Sequence, residues 1–347
     1  EPPEDGYKGE YIKEIARDAI LRKGDALLKA PVAEAVSYLS EFSRDLILNQ
    51  IREDLEDFGV TFHNWFSERK LYDGRSELEL LESLRRADLI YEKEGAEWFR
   101  ATLFGDEKDW VVVRADGRYT YFASDILYIR NKFVRGFKHL INIWGADHHG
   151  YVPRVTGVVK ALGYPAEAFE VLLVEFVHLI SGGQRVSMST RGGEFITLSE
   201  VVKEVGRDAA RFWFLTKSSD AHLDFDLDLA KKESKENPVY YVQYAHARIC
   251  SVLRTAAEKG YALPEADHVD LSPLALHEEL EIVKELMRYP EVLESAALGR
   301  KPHLLTYYIQ ELARLFHGYY NMGNEDSRLR VLGEDRATSE ARLFLCI

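Results

Sequence analysis

The sequence predicts a chain that is α/β up to about residue 232 and all-α afterwards. Helix and strand patterns alternate between residues 123 and 215, and apolar runs such as "HLINIWG" (139–145) lack strict alternation, as expected of a parallel sheet covered on both faces. Glu236-Asn237-Pro238 then interrupts the pattern, and each periodic stretch beyond it reads as helix.

Taken in order, residues 10–29 and 32–59 are expected to be amphipathic helices. In the second, Ala35, Leu39, Phe42, Leu46, Ile47, Ile51 and Leu55 recur at helical spacing, and Gly59 supplies a C-terminal stop. "VTFHNWFSE" (60–68) alternates and reads as a strand, and residues 77–87 as a short helix. Four β-like pieces follow, "LIYEK", "EWFRAT", "WVVVR" and "YTYFA", with an Asp-Gly hairpin signal in "RADGRYTYF". Helices are expected at 123–135, 149–162 and 199–215, the last capped by Ser199. Strands are expected at 139–145 and 169–180. The tail should hold helices at 237–254, 271–288, 290–298 and 301–320.

With 347 residues, 46% of them hydrophobic, the chain can build at least two cores. No apolar run approaches a membrane span of about 20 residues, and the start "EPPEDGYKGEYIKEIA" is not a signal peptide. Cys250 and Cys346 form neither a metal-ligand spacing nor a disulfide framework, so a reducing, cytoplasmic setting is expected. A net charge of −13 argues against nucleic-acid binding over the whole surface, though not against a local basic face.

Three stretches could carry chemistry. "IWGADHHGY" (143–151) follows a buried-type strand and opens a helix, where ligands of doubly wound sheets sit. Gly145 permits close backbone approach, Asp147 can accept from a sugar diol, and His148 and His149 add donors. The alternative is a capping Asp with two surface histidines. A metal site is disfavoured, because adjacent ligands diverge and no HxxxH or CxxC spacing accompanies them. In "YFASDILY" (121–128), Tyr121, Asp125 and Tyr128 share a face if helical. A carboxylate there is either a pocket for a guanidinium or ammonium group, or an ordinary helix residue among core tyrosines. "RVSMSTRGG" (185–193) offers hydroxyls, amides and Arg cations to a phosphate chain, but Ser/Gly-rich loops are common.

Order and spacing together are more specific. "WGADHHGY", then "VEFVHLISGGQRVSMSTRGGEFITLSEVV", then "NPVYYVQYAHAR" opening a helical tail closely resemble bacterial arginyl-tRNA synthetases, as do "DLEDFGVTFHNWFSE", "YFASDILY" and "FHGYYN…VL". The resemblance implies a Rossmann-like class I catalytic domain over residues 1–232 and a helical anticodon-binding domain over residues 233–347. It implies ATP-dependent activation of L-arginine, with Mg2+ accompanying the ATP, and transfer to tRNA(Arg) by a cytoplasmic monomer. No protein-bound metal is expected.

Position by position, the resemblance assigns Tyr121 and Asp125 to the arginine pocket, with Glu68 and His148 beside them. It assigns Gly145, Asp147 and His149 to the ribose, and the backbone near His178 and Leu179 to adenine. Ser187, Met188, Ser189, Thr190 and Arg191 fall on the KMSKS loop that embraces the ATP phosphates. Ser187 stands where the first lysine is usual, leaving Arg185 or Arg191 to supply that charge. Tyr240, Tyr241, Tyr244 and Arg248 become candidates for contact with the anticodon stem or loop, by stacking and charge, with core packing the competing role of the tyrosines. No His-φ-Gly-His sequence occurs in the chain, so the resemblance is to the later catalytic half and most of the anticodon domain. The isolated chain is accordingly expected to be inactive, and a non-catalytic tRNA- or arginine-binding paralogue is the alternative. A cysteine-specific class I enzyme is disfavoured by the missing zinc-ligand cysteines and by Asp125.

Overall fold

The computed structural model describes residues 9–186, 196–262 and 269–347. The chain forms two compact units. One comprises residues up to Thr61, Val177–Ser218 and Leu223–Ile347; the other comprises Phe62–Phe176 and Ser219–His222.

The second unit holds the helix Ser76–Arg86 and an antiparallel meander of Ile90–Lys93, Ala96–Phe99 and Trp110–Val113. The first hairpin turns on Glu94 and Gly95, both at positive φ, as a two-residue loop between twisted strands requires. The Asp116-Gly117 turn also forms, with Arg114 N–H bonded to the Arg118 carbonyl at 2.9 Å. Its second arm is only a bridge at Tyr119, because Thr120 caps a helix that starts at Tyr121; "YTYFA" is not a strand. That helix, Tyr121–Val134, packs Phe122, Ile126 and Phe133 into a core with Phe99, Val112, Val155 and Val158. Leu140–Gly145 pairs in parallel with Phe169–Val174, from Leu140 opposite Phe169 to Gly145 opposite Val174, and the helix Val152–Ala161 lies between them in sequence.

The first unit opens with helices Glu10–Lys23, Ala26–Lys29 and Val32–Asp57. Gly59 takes φ +78 just past the last of these, as expected of a stop. The apolar face of Val32–Asp57 has no buried residue: Ile47 and Ile51 are exposed. A small sheet places Val177–Ser181 between Gln184–Arg185 (antiparallel) and Leu223–Asp226 (parallel). Helices Pro238–Glu258, His277–Met287, Tyr289–Leu298, His303–Glu325 and Arg336–Phe344 follow, around Ala256, Ile282, Phe316, Tyr319 and Leu343.

Several expectations are corrected. Residues 60–68 alternate without forming a strand; they run as loop into a 3-10 turn at Glu68–Leu71. Alternation alone cannot supply a neighbouring edge. The expected strand 169–180 is two strands in different sheets, because the chain passes from one unit to the other after Phe176. The expected helix 199–215 is divided by Gly206 at φ +85, and its cap is Thr197, not Ser199. Thr197 Oγ1 accepts from Glu200 N–H at 3.1 Å while the Glu200 carboxylate accepts from Thr197 N–H at 2.6 Å, a reciprocal capping box.

Asn237 does more than break a pattern. It is 3% exposed, its Oδ1 accepts from Val239 N–H at 3.1 Å, and its Nδ2 donates to the Ala230 and Lys232 carbonyls. The side chain thus caps Pro238–Glu258 and ties it to the preceding turn. Asn237→Ala is expected to cost about 2 kcal/mol, from a lost cap and the abandoned carbonyls of buried Ala230 and exposed Lys232. A denaturation midpoint unchanged within about 0.5 kcal/mol would contradict this assignment.

Candidate functional site

In the second unit, the helix Tyr121–Val134 and the 3-10 turn Glu68–Leu71 enclose a cavity of about 230 Å³. It is lined by Phe66, Glu68, Leu71, Tyr121, Ser124, Asp125 and Tyr128. This is smaller than the pockets of about 300–1,000 Å³ that hold drug-sized ligands, and suits one amino-acid side chain better than a nucleotide. Helical spacing brings Tyr121, Asp125 and Tyr128 to the cavity as the sequence predicts. Their environments differ: Tyr121 is 87% exposed, whereas Tyr128 is half-buried and stacks on Phe66 at 4.7 Å.

Asp125 is half-buried and is not without a partner. Its Oδ2 accepts from the Tyr151 hydroxyl at 2.5 Å. Burial pushes the Asp125 carboxyl above its ordinary value; the Tyr151 bond opposes this and the neighbouring Glu68 charge adds to it. Burial likewise raises the Tyr151 phenol, helped by Asp125, so Tyr151 stays a donor. Two carboxylates facing one small cavity, one of them desolvated, form a site that a cation would complete.

In the same unit, Gly145 ends the strand Leu140–Gly145 and a 3-10 turn, Ala146–Tyr151, leads into the helix Val152–Ala161. A Cβ on Gly145 would lie 2.5 Å from Asp147 Oδ1, so a glycine here lets the Asp147 carboxylate fold back. That carboxylate accepts from His148 Nδ1 at 3.0 Å, and His149 Nδ1 donates to the Ala146 carbonyl at 3.2 Å. Both rings therefore use Nδ1 as donor. His148 does not line the cavity around Asp125. Among the described residues, no group of three or more His, Cys, Asp and Glu is arranged to hold a metal ion.

In the first unit, His178 and Leu179 lie on the central strand Val177–Ser181. His178 Nδ1 accepts from Arg185 Nη2 at 2.6 Å, and the Leu179 carbonyl accepts from Val186 N–H at 2.9 Å. Arg185 is exposed at the end of the hairpin. Ser187, Met188, Ser189, Thr190 and Arg191 lie outside the described residues.

On the helix Pro238–Glu258, Tyr240 and Tyr244 stack at 5.8 Å with an interplanar angle of 8°. The Arg248 guanidinium lies over the rings of Tyr244 (4.4 Å) and Tyr320 (4.8 Å). Tyr241 packs on His317 at 4.5 Å, and Tyr244 stacks on the same ring at 5.7 Å. His317 fixes this group: Nε2 donates to the Tyr241 carbonyl and Nδ1 accepts from Arg248 Nη1, at 3.0 and 2.9 Å. Only a neutral imidazole satisfies both, and burial accordingly lowers its pKa. Tyr244 is 44% exposed, so an aromatic and guanidinium ladder runs along this helix at the surface.

Tyr151 is a site residue that sequence reasoning misses. It closes the quoted "IWGADHHGY" stretch, but nothing in its spacing reveals that it reaches Asp125.

Residues 10–229 match the family described as "tRNA synthetases class I (R), catalytic domain", and residues 242–347 match the "DALR anticodon binding domain". The chain is also 36% identical to a crystal structure described as an arginyl-tRNA synthetase from Campylobacter jejuni. That match has a TM-score of 0.85 and covers 99% of this chain and 74% of that one. The chain belongs to the arginyl-tRNA synthetase family. Among curated relatives, the arginine–tRNA ligase of Citrifermentans bemidjiense is 53% identical over 343 residues. That of Syntrophotalea carbinolica is 52% identical over 344. Each alignment covers 99% of this chain and 61% of the relative, so the chain spans about three-fifths of the length of these arginyl-tRNA synthetases. No helix among the described residues is long and apolar enough to cross a membrane.

Proposed function

We propose that the protein to which this chain belongs activates L-arginine with MgATP and transfers it to tRNA(Arg). The observation that carries this reading is the desolvated Asp125 carboxylate, with Glu68, on a side-chain-sized cavity in a chain of this family. The arginine carboxylate attacks the α-phosphorus of ATP, forming the adenylate and expelling pyrophosphate. The terminal ribose hydroxyl of the tRNA then attacks the activated carbonyl and AMP leaves. Such chemistry is mostly positioning and charge stabilisation.

In this reading Asp125, Tyr121 and Glu68 take the guanidinium end, while His148, which does not line that cavity, would serve arginine only from outside it. Gly145, Asp147 and His149 serve the ribose, and the backbone at His178 and Leu179 serves adenine. Arg185 and the segment Ser187–Arg191 serve the phosphates. The ladder of Tyr240, Tyr244 and Arg248 serves unstacked RNA bases, a role its exposure and stacking support. Tyr241, turned to His317, orders that ladder. Catalytic residues fall within 1–232 and the helical RNA-binding part within 233–347; the protein would act in the cytoplasm as a monomer.

The test is arginine-dependent exchange of pyrophosphate into ATP with tRNA(Arg) present. A longer chain that contains these residues and also a His-φ-Gly-His sequence should exchange, and lysine or citrulline should not replace arginine. The 347-residue chain, which carries no such sequence, should bind arginine without exchange. Exchange that is indifferent to the amino acid supplied would contradict the reading. No exchange by the longer chain would favour a non-catalytic binding protein instead.

A further inference from the structure

We propose that Tyr151 is a positioning residue for arginine selection: its phenol holds one oxygen of Asp125 so that the carboxylate presents its remaining lone pairs to the guanidinium. The inference deepens the proposed function and rests on it. The Asp125 side chain stands on a helix whose inner face is mostly apolar, with Phe122, Ile126 and Ile129 buried alongside Ser124. A lone carboxylate there could rotate among its rotamers. The Tyr151 hydroxyl donates to Oδ2 at 2.5 Å and removes that freedom.

The phenol is itself held. Its ring meets Trp144 and Phe122 edge-on, at 5.8 and 6.4 Å. The Arg154 guanidinium, one turn along, lies 4.3 Å from the Tyr151 ring centroid and 3.1 Å from that of Trp110. Arg154 is half-buried, its buried Nε has no hydrogen-bond partner, and it pairs with the Asp106 carboxylate at 3.8 Å, which also accepts from Trp110. The rings, the Asp106 ion pair and a side-chain hydrogen bond to Tyr151 together hold this cation. A caged cation behind the phenol and a carboxylate in front of it form a relay that ends at the cavity. An ionised carboxylate has about four acceptor sites, so Oδ2 can serve Tyr151 and a forked guanidinium together.

The groups facing Asp125 are Tyr151 and Arg154 from the following elements, Glu68 from the 3-10 turn, and Lys132 on its own helix. Tyr151 and the two cations favour the ionised form, and Glu68 disfavours it. Removing the phenol hydroxyl should therefore raise the Asp125 pKa and move the acid limb of arginine affinity to higher pH.

The experiment is calorimetric titration of the longer protein that contains this chain with arginine and with citrulline, its neutral isostere, over a pH series. Wild-type protein should bind arginine and reject citrulline. Failure at this step overturns the proposed function itself. Tyr151→Phe keeps the ring between Arg154 and Trp144, and should weaken arginine about tenfold while the acid limb rises by about one pH unit, as loss of a charge-assisted bond requires. In an Asp125→Asn background the same change should have almost no further effect. A wild-type protein that selects arginine, with Tyr151→Phe matching it in affinity and pH limb, overturns the positioning role. If Tyr151→Phe does not fold, 3-fluorotyrosine in place of Tyr151 preserves the packing and strengthens the donor. The acid limb should then move to lower pH, and an unmoved limb overturns the proposal.

Discussion

Asp125→Asn, made in an active enzyme containing this chain, is expected to lower kcat/KM for arginine by about a hundredfold or more while leaving KM for ATP nearly unchanged. A buried charge deprived of its counter-charge costs roughly 3–5 kcal/mol, and each ~1.4 kcal/mol is tenfold. Glu68 lines the same cavity and keeps part of the attraction, which is why the lower end is expected. Asparagine can still accept from Tyr151, so the local packing should survive. Stability should not fall. Because burial raises the Asp125 carboxyl above its unfolded value, its ionisation opposes folding at neutral pH, and the neutral amide removes that penalty. Steady-state exchange kinetics and a thermal melt check both halves. A loss smaller than about threefold for arginine would make Asp125 an ordinary helix residue.

Much of this site is legible in the sequence because it is local. Tyr121, Asp125 and Tyr128 meet at one cavity through helical spacing alone, and Gly145-Ala-Asp147 ends a strand that its apolar run already announces. The order of the stretches then identifies the family. What escapes is contact made across the fold. Tyr151 reaches Asp125 from another element, and His317 reaches Tyr241 and Arg248 from a helix 69 or more residues away. No spacing rule encodes such pairs.

The same distinction governs the elements. The helix Pro238–Glu258 is placed well because its periodicity is local, whereas the helix expected at 199–215 is capped by Thr197 and divided at Gly206. Strands are placed poorly where the partner decides. Leu223–Asp226 alternates apolar residues with Asp224 and Asp226, and becomes a strand because Val177–Ser181 offers an edge. The run 169–180 has uniform β character, yet its two halves serve different sheets. Hydrophobic pattern states that a segment will be buried; it does not name the neighbour.

The largest stability effect is expected in the helical tail, at Glu279. Its side chain is 0% exposed, and both oxygens are committed. Oε1 accepts from Arg342 Nε at 2.6 Å, while Oε2 accepts from the Ala275 and Leu276 N–H groups, each at 3.0 Å, capping the helix His277–Met287. Arg342 in turn donates Nη1 to the Arg328 and Arg330 carbonyls, at 2.9 and 2.8 Å. One ion pair thus fastens three segments far apart in sequence. Glu279→Ala should cost about 3–5 kcal/mol, because it strands the buried Arg342 charge and two backbone donors together. Against the total of about 5–15 kcal/mol typical of folded domains, that is enough to loosen the tail. Glu279→Gln should fall between, since one end of the amide accepts but the other cannot. The double change Glu279→Met with Arg342→Leu should recover much of the loss, because replacing both charges leaves neither unpaired. Denaturant melts of the three variants decide the matter. If Glu279→Ala costs less than about 1 kcal/mol, or the double variant is the least stable, the pair does not hold the tail together.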